Sequence, residues 1–263
     1  SSRIRMGIVG VGRIGALHAQ LLAEQPDIDL VSISDTDGEQ ARRVADALGI
    51  RHVSTEAHET IEQGLDALAI TSSTDTHAAL ICQAAAAGLH VFCEKPTALN
   101  LIEADEMIES CQVAGVKFAI NHIKRASPYN KLALEMIAAG DIGQLLRLRA
   151  FDKGGRWAGN SLMEMGTHLY DWVRLFAGDV EWAHAHLMQR DGRESTAADI
   201  KHTQEVHPKD RDAGLVLGER CAAAFRFENG LHADVDYFGQ QETDDRSYGI
   251  DLIGSKGRIA MRE

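Results

Sequence analysis

The chain has 263 residues, 44% hydrophobic and 25% charged, with a formal net charge of −12 at pH 7. This is the profile of an ordinary globular protein long enough for two cores. The acidic balance argues against nucleic acid as the main partner, because phosphate backbones need a basic stripe, and no apolar run approaches the roughly 20 residues that span a bilayer.

The first strand begins almost at once in SSRIRMGIVG, so no signal peptide is expected. Strands are expected at 3–10, 28–35, 51–54, 65–71, 89–95 and 116–121, and helices at 16–25, 38–49, 58–64, 76–88 and 101–115. Strands alternating with amphipathic helices and glycine-ended turns imply right-handed βαβ units, hence a parallel sheet covered on both faces. The strands are nearly continuous apolar runs, as doubly covered strands should be. A Rossmann-like doubly wound domain is therefore expected over residues 1–121.

After residue 121 the pattern changes. A helix at 127–143 is followed by strands at 145–151, 181–187, 219–238 and 248–262, with one more helix at 165–178. ENG at 228–230 and SKG at 255–257 read as hairpin turns. An α+β domain on a largely antiparallel open sheet is expected over 122–263, serving substrate binding and oligomerisation. Its sheet has one face without a helical layer in the sequence, so a homodimer or homotetramer is expected. The stretch 189–218 is polar and aperiodic, and is expected to be a lid, an arm, an oligomer contact or a run of short elements. Cys82, Cys93, Cys111 and Cys221 show neither a CxxC nor metal-ligand spacing. Reduced core thiols and a cytoplasmic location follow as expectations.

GIVGVGRIG places Gly10, Gly12 and Gly15 as G-x-G-x-x-G between a strand and a helix. The first glycine allows the tight turn, the second lets a pyrophosphate approach the backbone, and the third lets helix and strand pack closely. The helix N-terminus then faces the anion. Asp35 closes the second strand 20 residues after Gly15 (35 − 15), where an acid meets the adenosine ribose hydroxyls. The following residues, DTDGEQ, offer no arginine for a 2′-phosphate, so NAD is favoured over NADP. At the end of the fifth strand stands CEKP, residues 93–96. Ligands of open parallel sheets sit beyond the carboxyl ends of the strands, which directs Lys95 to the cofactor, and Pro96 allows a cis bond.

With the glycine turn, EKP at the fifth strand and a sheet domain after the sixth, the chain resembles the glucose–fructose oxidoreductase, inositol dehydrogenase and MocA family. TSSTDTHAAL, NHIKRASPYNKLALEMIAAGDIG, LMEMGTHLYDW and IGSKGRI match further family segments in order. The resemblance implies reversible hydride transfer between NAD and a secondary hydroxyl of a sugar or cyclitol. It also implies that Arg13, Ile14, Thr71, Ser73, His77 and Glu94 line the cofactor site beside Lys95. His168 is the expected base, since imidazole titrates near neutrality. Glu164, one helical turn earlier where the family carries aspartate, is expected to orient His168 or bind a substrate hydroxyl. Lys95 is expected to stabilise alkoxide charge. Asn121, Arg125 and Asp171 are candidate substrate contacts, with Asp171 also placed to hold the His168 tautomer and Asn121 to meet the nicotinamide amide. Trp157 either stacks on a sugar ring or lies in an interface. His184 and His186 alternate on a strand, but no acid or third histidine joins them at ligand spacing, so exposed strand histidines are expected rather than a metal site. The family continues beyond the GSKGRI hairpin whereas the chain stops at Glu263, so a truncated or only partly ordered sequence is expected. Two other readings are an NAD-dependent enzyme that cleaves glycosidic bonds through transient oxidation, and a cofactor-sensing regulatory protein; Lys95 and His168 speak against the second.

Overall fold

The computed structural model describes residues 3–152, 166–189, 191–201, 215–216, 220–238 and 248–262. The chain forms two compact units, Ser1–Asn121 and His122–Glu263.

The first unit runs β1 (Ile4–Val9), α1 (Arg13–Ala23), β2 (Ile28–Ser34), α2 (Gly38–Leu48), β3 (His52–Ser54), α3 (Ala57–Ile61), β4 (Ala67–Ile70), α4 (His77–Ala86), β5 (His90–Cys93), α5 (Leu101–Ala114) and β6 (Phe118–Ile120). The six strands pair in parallel in the order β3-β2-β1-β4-β5-β6. This is the doubly wound sheet expected from the βα alternation. Its order reverses between β1 and β4, where such sheets open a crevice for ligands. The two-residue side-chain period divides the core between the faces. Met6, Ile8 and Ala69 pack with Ala19 of α1 and Ala41 and Val44 of α2. Val9, Leu68, Ile70, Val91 and Cys93 pack with Leu80 and Ile81 of α4 and Met107 and Cys111 of α5. Asp37 starts α2 by accepting the backbone N–H groups of Glu39 and Gln40, and Gly49 ends it in the left-handed conformation.

The second unit contains α6 (Pro128–Ala139), β7 (Leu145–Asp152), α7 (Gly166–Ala177), β8 (Val180–Met188), β9 (Ile200–Lys201), β10 (Leu215–Val216), β11 (Arg220–Phe227), β12 (His232–Phe238), β13 (Tyr248–Gly254) and β14 (Arg258–Arg262). Its main sheet has the order β14-β13-β7-β12-β11-β8 and is antiparallel except where β7 meets β12. Both expected hairpins are present, as β11–β12 and β13–β14. Leu148, Ala150, Ala223, Val235, Ile250 and Leu252 point to one face, where Leu169, Trp172 and Val173 of α7 and Ala133 of α6 cover them. Trp172 is fully buried and donates its indole N–H to Asn130 Oδ1 at 2.6 Å, fastening α7 to α6. The Lys124 ammonium lies 4.9 and 4.7 Å from the ring centres of Trp172 and Tyr248. Outside this core, the sheet carries cross-strand ion pairs: Arg147 with Asp234, Arg149 with Asp236 at 3.2 Å, and Arg262 with Asp251 at 2.6 Å.

The described part of 189–218 contains short elements. Met188 bridges Glu194, a single 3-10 turn covers Ala197–Asp199, and β9 pairs with β10. Arg193 grips the Asp199 carboxylate with two nitrogens, at 2.9 and 2.7 Å.

Candidate functional site

The glycine turn has the geometry its spacing predicts, for identifiable steric reasons. Gly10 has φ +85°, and a Cβ there would lie 2.5 Å from the Ser72 backbone. A Cβ on Gly15 would lie 1.9 Å from the Gly10 carbonyl oxygen, so only glycine lets α1 start this close to the turn. A Cβ on Gly12 would meet nothing within 4 Å. The backbone at Gly12 therefore faces open space, as a pyrophosphate approach requires. The turn is braced from the strands behind it. Gly10 N–H donates to Ser34 O at 2.8 Å, and the Thr71 hydroxyl donates to Gly10 O. Helix α1 has no side-chain cap and no acid in its first turn, where Arg13 and Ile14 stand. Its first N–H groups thus remain available to an anion.

Asp35 stands half-buried at the end of β2. Its carboxylate accepts Val11 N–H at 2.6 Å on one oxygen and Asp37 N–H at 2.9 Å on the other. A carboxylate offers about four acceptor sites, so two hydroxyls can still be received. These residues fit a dinucleotide.

At the end of β5 the structure redistributes the roles read from the sequence. Glu94 is turned inward. Its Oε1 accepts His18 Nε2 and Asn121 Nδ2, each at 2.7 Å, and its Oε2 accepts the Lys95 N–H at 3.1 Å. Burial pushes this carboxyl up, but the bonds from His18 and Asn121 outweigh it and hold the pKa down at about 2. Three bonds within the domain thus engage both oxygens of Glu94, the residue expected at the cofactor. The Asn121 amide, expected at the nicotinamide or substrate, is likewise directed to Glu94. His77, also expected at the cofactor site, opens α4. It is fully buried, with Nδ1 2.9 Å from Pro96 O and Nε2 3.3 Å from Ser72 O, and burial lowers its pKa. Backbone carbonyls thus flank both ring nitrogens. The Lys95–Pro96 bond is cis. Thr71 is buried behind the turn, whereas Ser73 is partly exposed.

In the second unit, Arg125 grips Asp171, with Nε 2.8 and 3.0 Å from the two carboxylate oxygens and a terminal nitrogen at 2.7 Å. Asp171 is buried, and His122 Nδ1 lies 3.9 Å from its Oδ2. The carboxylate expected to set the His168 tautomer is thus engaged by Arg125. His168, partly buried in the first turn of α7, packs its ring against that of His122, centres 6.5 Å apart and nearly perpendicular. Glu164 and Trp157 lie outside the described residues. Sequence reasoning missed His18 and His122. The signal for His18 was its place one helical turn after Gly15; for His122 it was adjacency to Asn121.

His184 and His186 are exposed on β8 as expected, but an acid meets them. Their Nε2 atoms are 2.9 Å apart, and Glu194 does join them, 2.8 Å from His186 Nδ1. Among the described residues no group of three ligands is placed to hold a metal ion. No helix among them is long and apolar enough to cross a membrane. The cysteines carry no disulfide, and burial raises the Cys93 thiol pKa.

A doubly wound sheet with an uncapped glycine turn and an acid at the end of its second strand has the features of a dinucleotide-binding domain. The oxidoreductase family with an NAD-binding Rossmann fold matches residues 4–122, and the GFO/IDH/MocA C-terminal domain matches residues 131–260. The chain belongs to the Gfo/Idh/MocA oxidoreductase family. It is 33% identical over 266 residues to myo-inositol 2-dehydrogenase of Thermotoga maritima, covering 97% of this chain and 74% of that protein. Among solved structures, a probable dehydrogenase from Thermotoga maritima superposes with TM-score 0.81 at 29% identity, over 98% of this chain and 75% of that one. The scyllo-inositol dehydrogenase of Lactobacillus casei, solved with NAD(H) and scyllo-inositol, shares the fold with TM-score 0.80 at 23% identity, over 99% and 76% of the two chains.

Proposed function

We propose that the protein transfers hydride between a secondary ring hydroxyl of a cyclitol or sugar and NAD. The observation that carries this reading is Lys95, at the carboxyl end of β5 in the sheet that bears the glycine turn. The inositol dehydrogenases among the relatives favour a cyclitol as the first substrate class. The bound nicotinamide supplies the hydride acceptor. Oxidising C–OH to C=O also releases the hydroxyl proton, and His168 is the proposed base that takes it. Lys95 is proposed to stabilise the oxygen as it becomes an alkoxide. The Arg125–Asp171 pair is proposed to bind substrate oxygens through the exposed edge of the guanidinium, and Glu164 and Trp157 to complete the substrate contacts.

The test is NAD reduction across a panel of inositols and aldoses, run beside hydrolysis of substituted glycosides. Turnover of at least one polyol with NAD is expected. Hydrolysis of a glycoside without net NADH would replace this reading with the bond-cleaving one, and NAD binding without either reaction would leave a sensor. Light scattering of the same preparation is expected to give a dimer or tetramer; a monomer at micromolar concentration would count against self-association.

Asp35 carries the cofactor choice. Asp35→Ala is expected to weaken NAD by about tenfold or more, from the loss of charge-assisted bonds to the ribose, and to narrow the preference over NADP. Calorimetric titration of both cofactors reads this, and an unchanged ratio would remove Asp35 from cofactor discrimination.

A further inference from the structure

We infer that His18 is a positioning residue for Lys95, acting through the carboxylate of Glu94. This rests on the proposed role of Lys95, and three observations support it. Oε1 of Glu94 is fixed from two directions, by His18 Nε2 of α1 and by Asn121 Nδ2 just beyond β6, each at 2.7 Å. The other oxygen, Oε2, accepts the Lys95 N–H at 3.1 Å. On the far side of Lys95, the Pro96 carbonyl lies 2.9 Å from His77 Nδ1. The backbone at Lys95 is thus held upstream by Glu94 and downstream by His77, and the upstream hold is only as rigid as the carboxylate that makes it.

Glu94 is ionised over the working pH range, so it accepts only, and His18 must present Nε2–H to it. The His18 ring is itself fixed by an edge contact with Phe92, ring centres 5.8 Å apart. Its side chain is only 17% exposed, which leaves it little surface role. His18 also lies one turn past Gly15 on the helix whose N-terminus faces the open turn. One helix therefore carries the proposed pyrophosphate site and the anchor for the proposed catalytic lysine.

The test compares His18→Leu, which cannot donate, with His18→Gln, whose amide N–H can. In His18→Leu, kcat is expected to fall about tenfold to a hundredfold, the cost of a misplacement near 1 Å, with KM and NAD affinity within about twofold. Exchange of the Lys95 amide proton, followed by NMR, is expected to quicken about tenfold or more as its local protection is lost. His18→Gln is expected to recover most of both effects. Should His18→Leu not fold, His18→Asn, polar but one methylene shorter than glutamine, carries the same expectations. An unchanged Lys95 amide exchange rate in His18→Leu, or in His18→Asn where it stands in, overturns the inference, as does a failure of glutamine to rescue. The exchange measurement needs no substrate, so a wild-type protein inactive on every polyol would defeat the proposed function while still deciding this point.

Discussion

Lys95→Met is expected to lower kcat by roughly 10²–10³-fold, the usual cost of deleting a group that stabilises developing oxyanion charge, while NAD binding stays within about twofold. Methionine keeps the apolar stem of lysine as far as Cε and removes the ammonium, with its charge and its donors. If that charge acts on the alkoxide, its contribution is larger in the transition state than in the ground state, so kcat falls and affinity does not. His168→Ala is expected to lose about 10²–10⁴-fold and also to flatten the near-neutral limb of the pH–rate profile. Steady-state kinetics with calorimetry on both variants decides the matter. If Lys95→Met instead abolishes NAD binding with turnover at saturation intact, Lys95 is a cofactor anchor and the mechanism proposed for it is wrong.

The second large effect lies in the glycine turn, where two neighbouring glycines serve different ends. In Gly15→Ala the new methyl would stand 1.9 Å from Gly10 O. The atom it meets is backbone and cannot rotate aside, so α1 must move off the turn. Overpacking of this kind costs about 1–3 kcal/mol or more, and a lower melting temperature with a large loss of NAD affinity is expected. In Gly12→Ala the methyl meets nothing within 4 Å, so the protein should melt as the wild type does. NAD affinity should nevertheless fall, because the methyl occupies the approach to the turn. Thermal melts and NAD titrations of the two variants separate these outcomes. Wild-type affinity in Gly12→Ala would show that the cofactor does not approach this backbone.

The first sheet was readable from the chain because its signals are local. Continuous apolar strands, glycine stops such as Gly49 and the 20-residue step from Gly15 to Asp35 each lie within a single βαβ unit. The second sheet was readable in kind, through its two hairpins. The parallel meeting of β7 and β12 was not, because it joins residues about 85 apart, as in Ala233 with Leu148, with no turn to announce it. The same distance problem hid the use of Glu94. A charged residue at a buried strand end calls for a partner, but nothing near CEKP names His18, 76 residues upstream. His77 was readable as a helix opener, but its enclosure by Ser72 and Pro96 depends on how the loops after β4 and β5 fold together. For His186 the missing acid, Glu194, arrives only because the chain turns back after β8.

The two backbone bonds accepted by Asp35 bear on how this cofactor preference can change in evolution or in the laboratory. The carboxylate proposed to select the ribose also ties Val11, in the middle of the glycine turn, to the end of β2. Discrimination and loop shape are therefore one inherited trait rather than two. A replacement that merely makes room for a phosphate also unfastens the turn that must receive the rest of the dinucleotide. A lineage moving toward the phosphorylated cofactor has to supply a new acceptor for the Val11 amide as well as a cation for the phosphate. Single variants at position 35 are thus expected to blur the preference at a cost in affinity, and a full switch should first appear as a pair of substitutions.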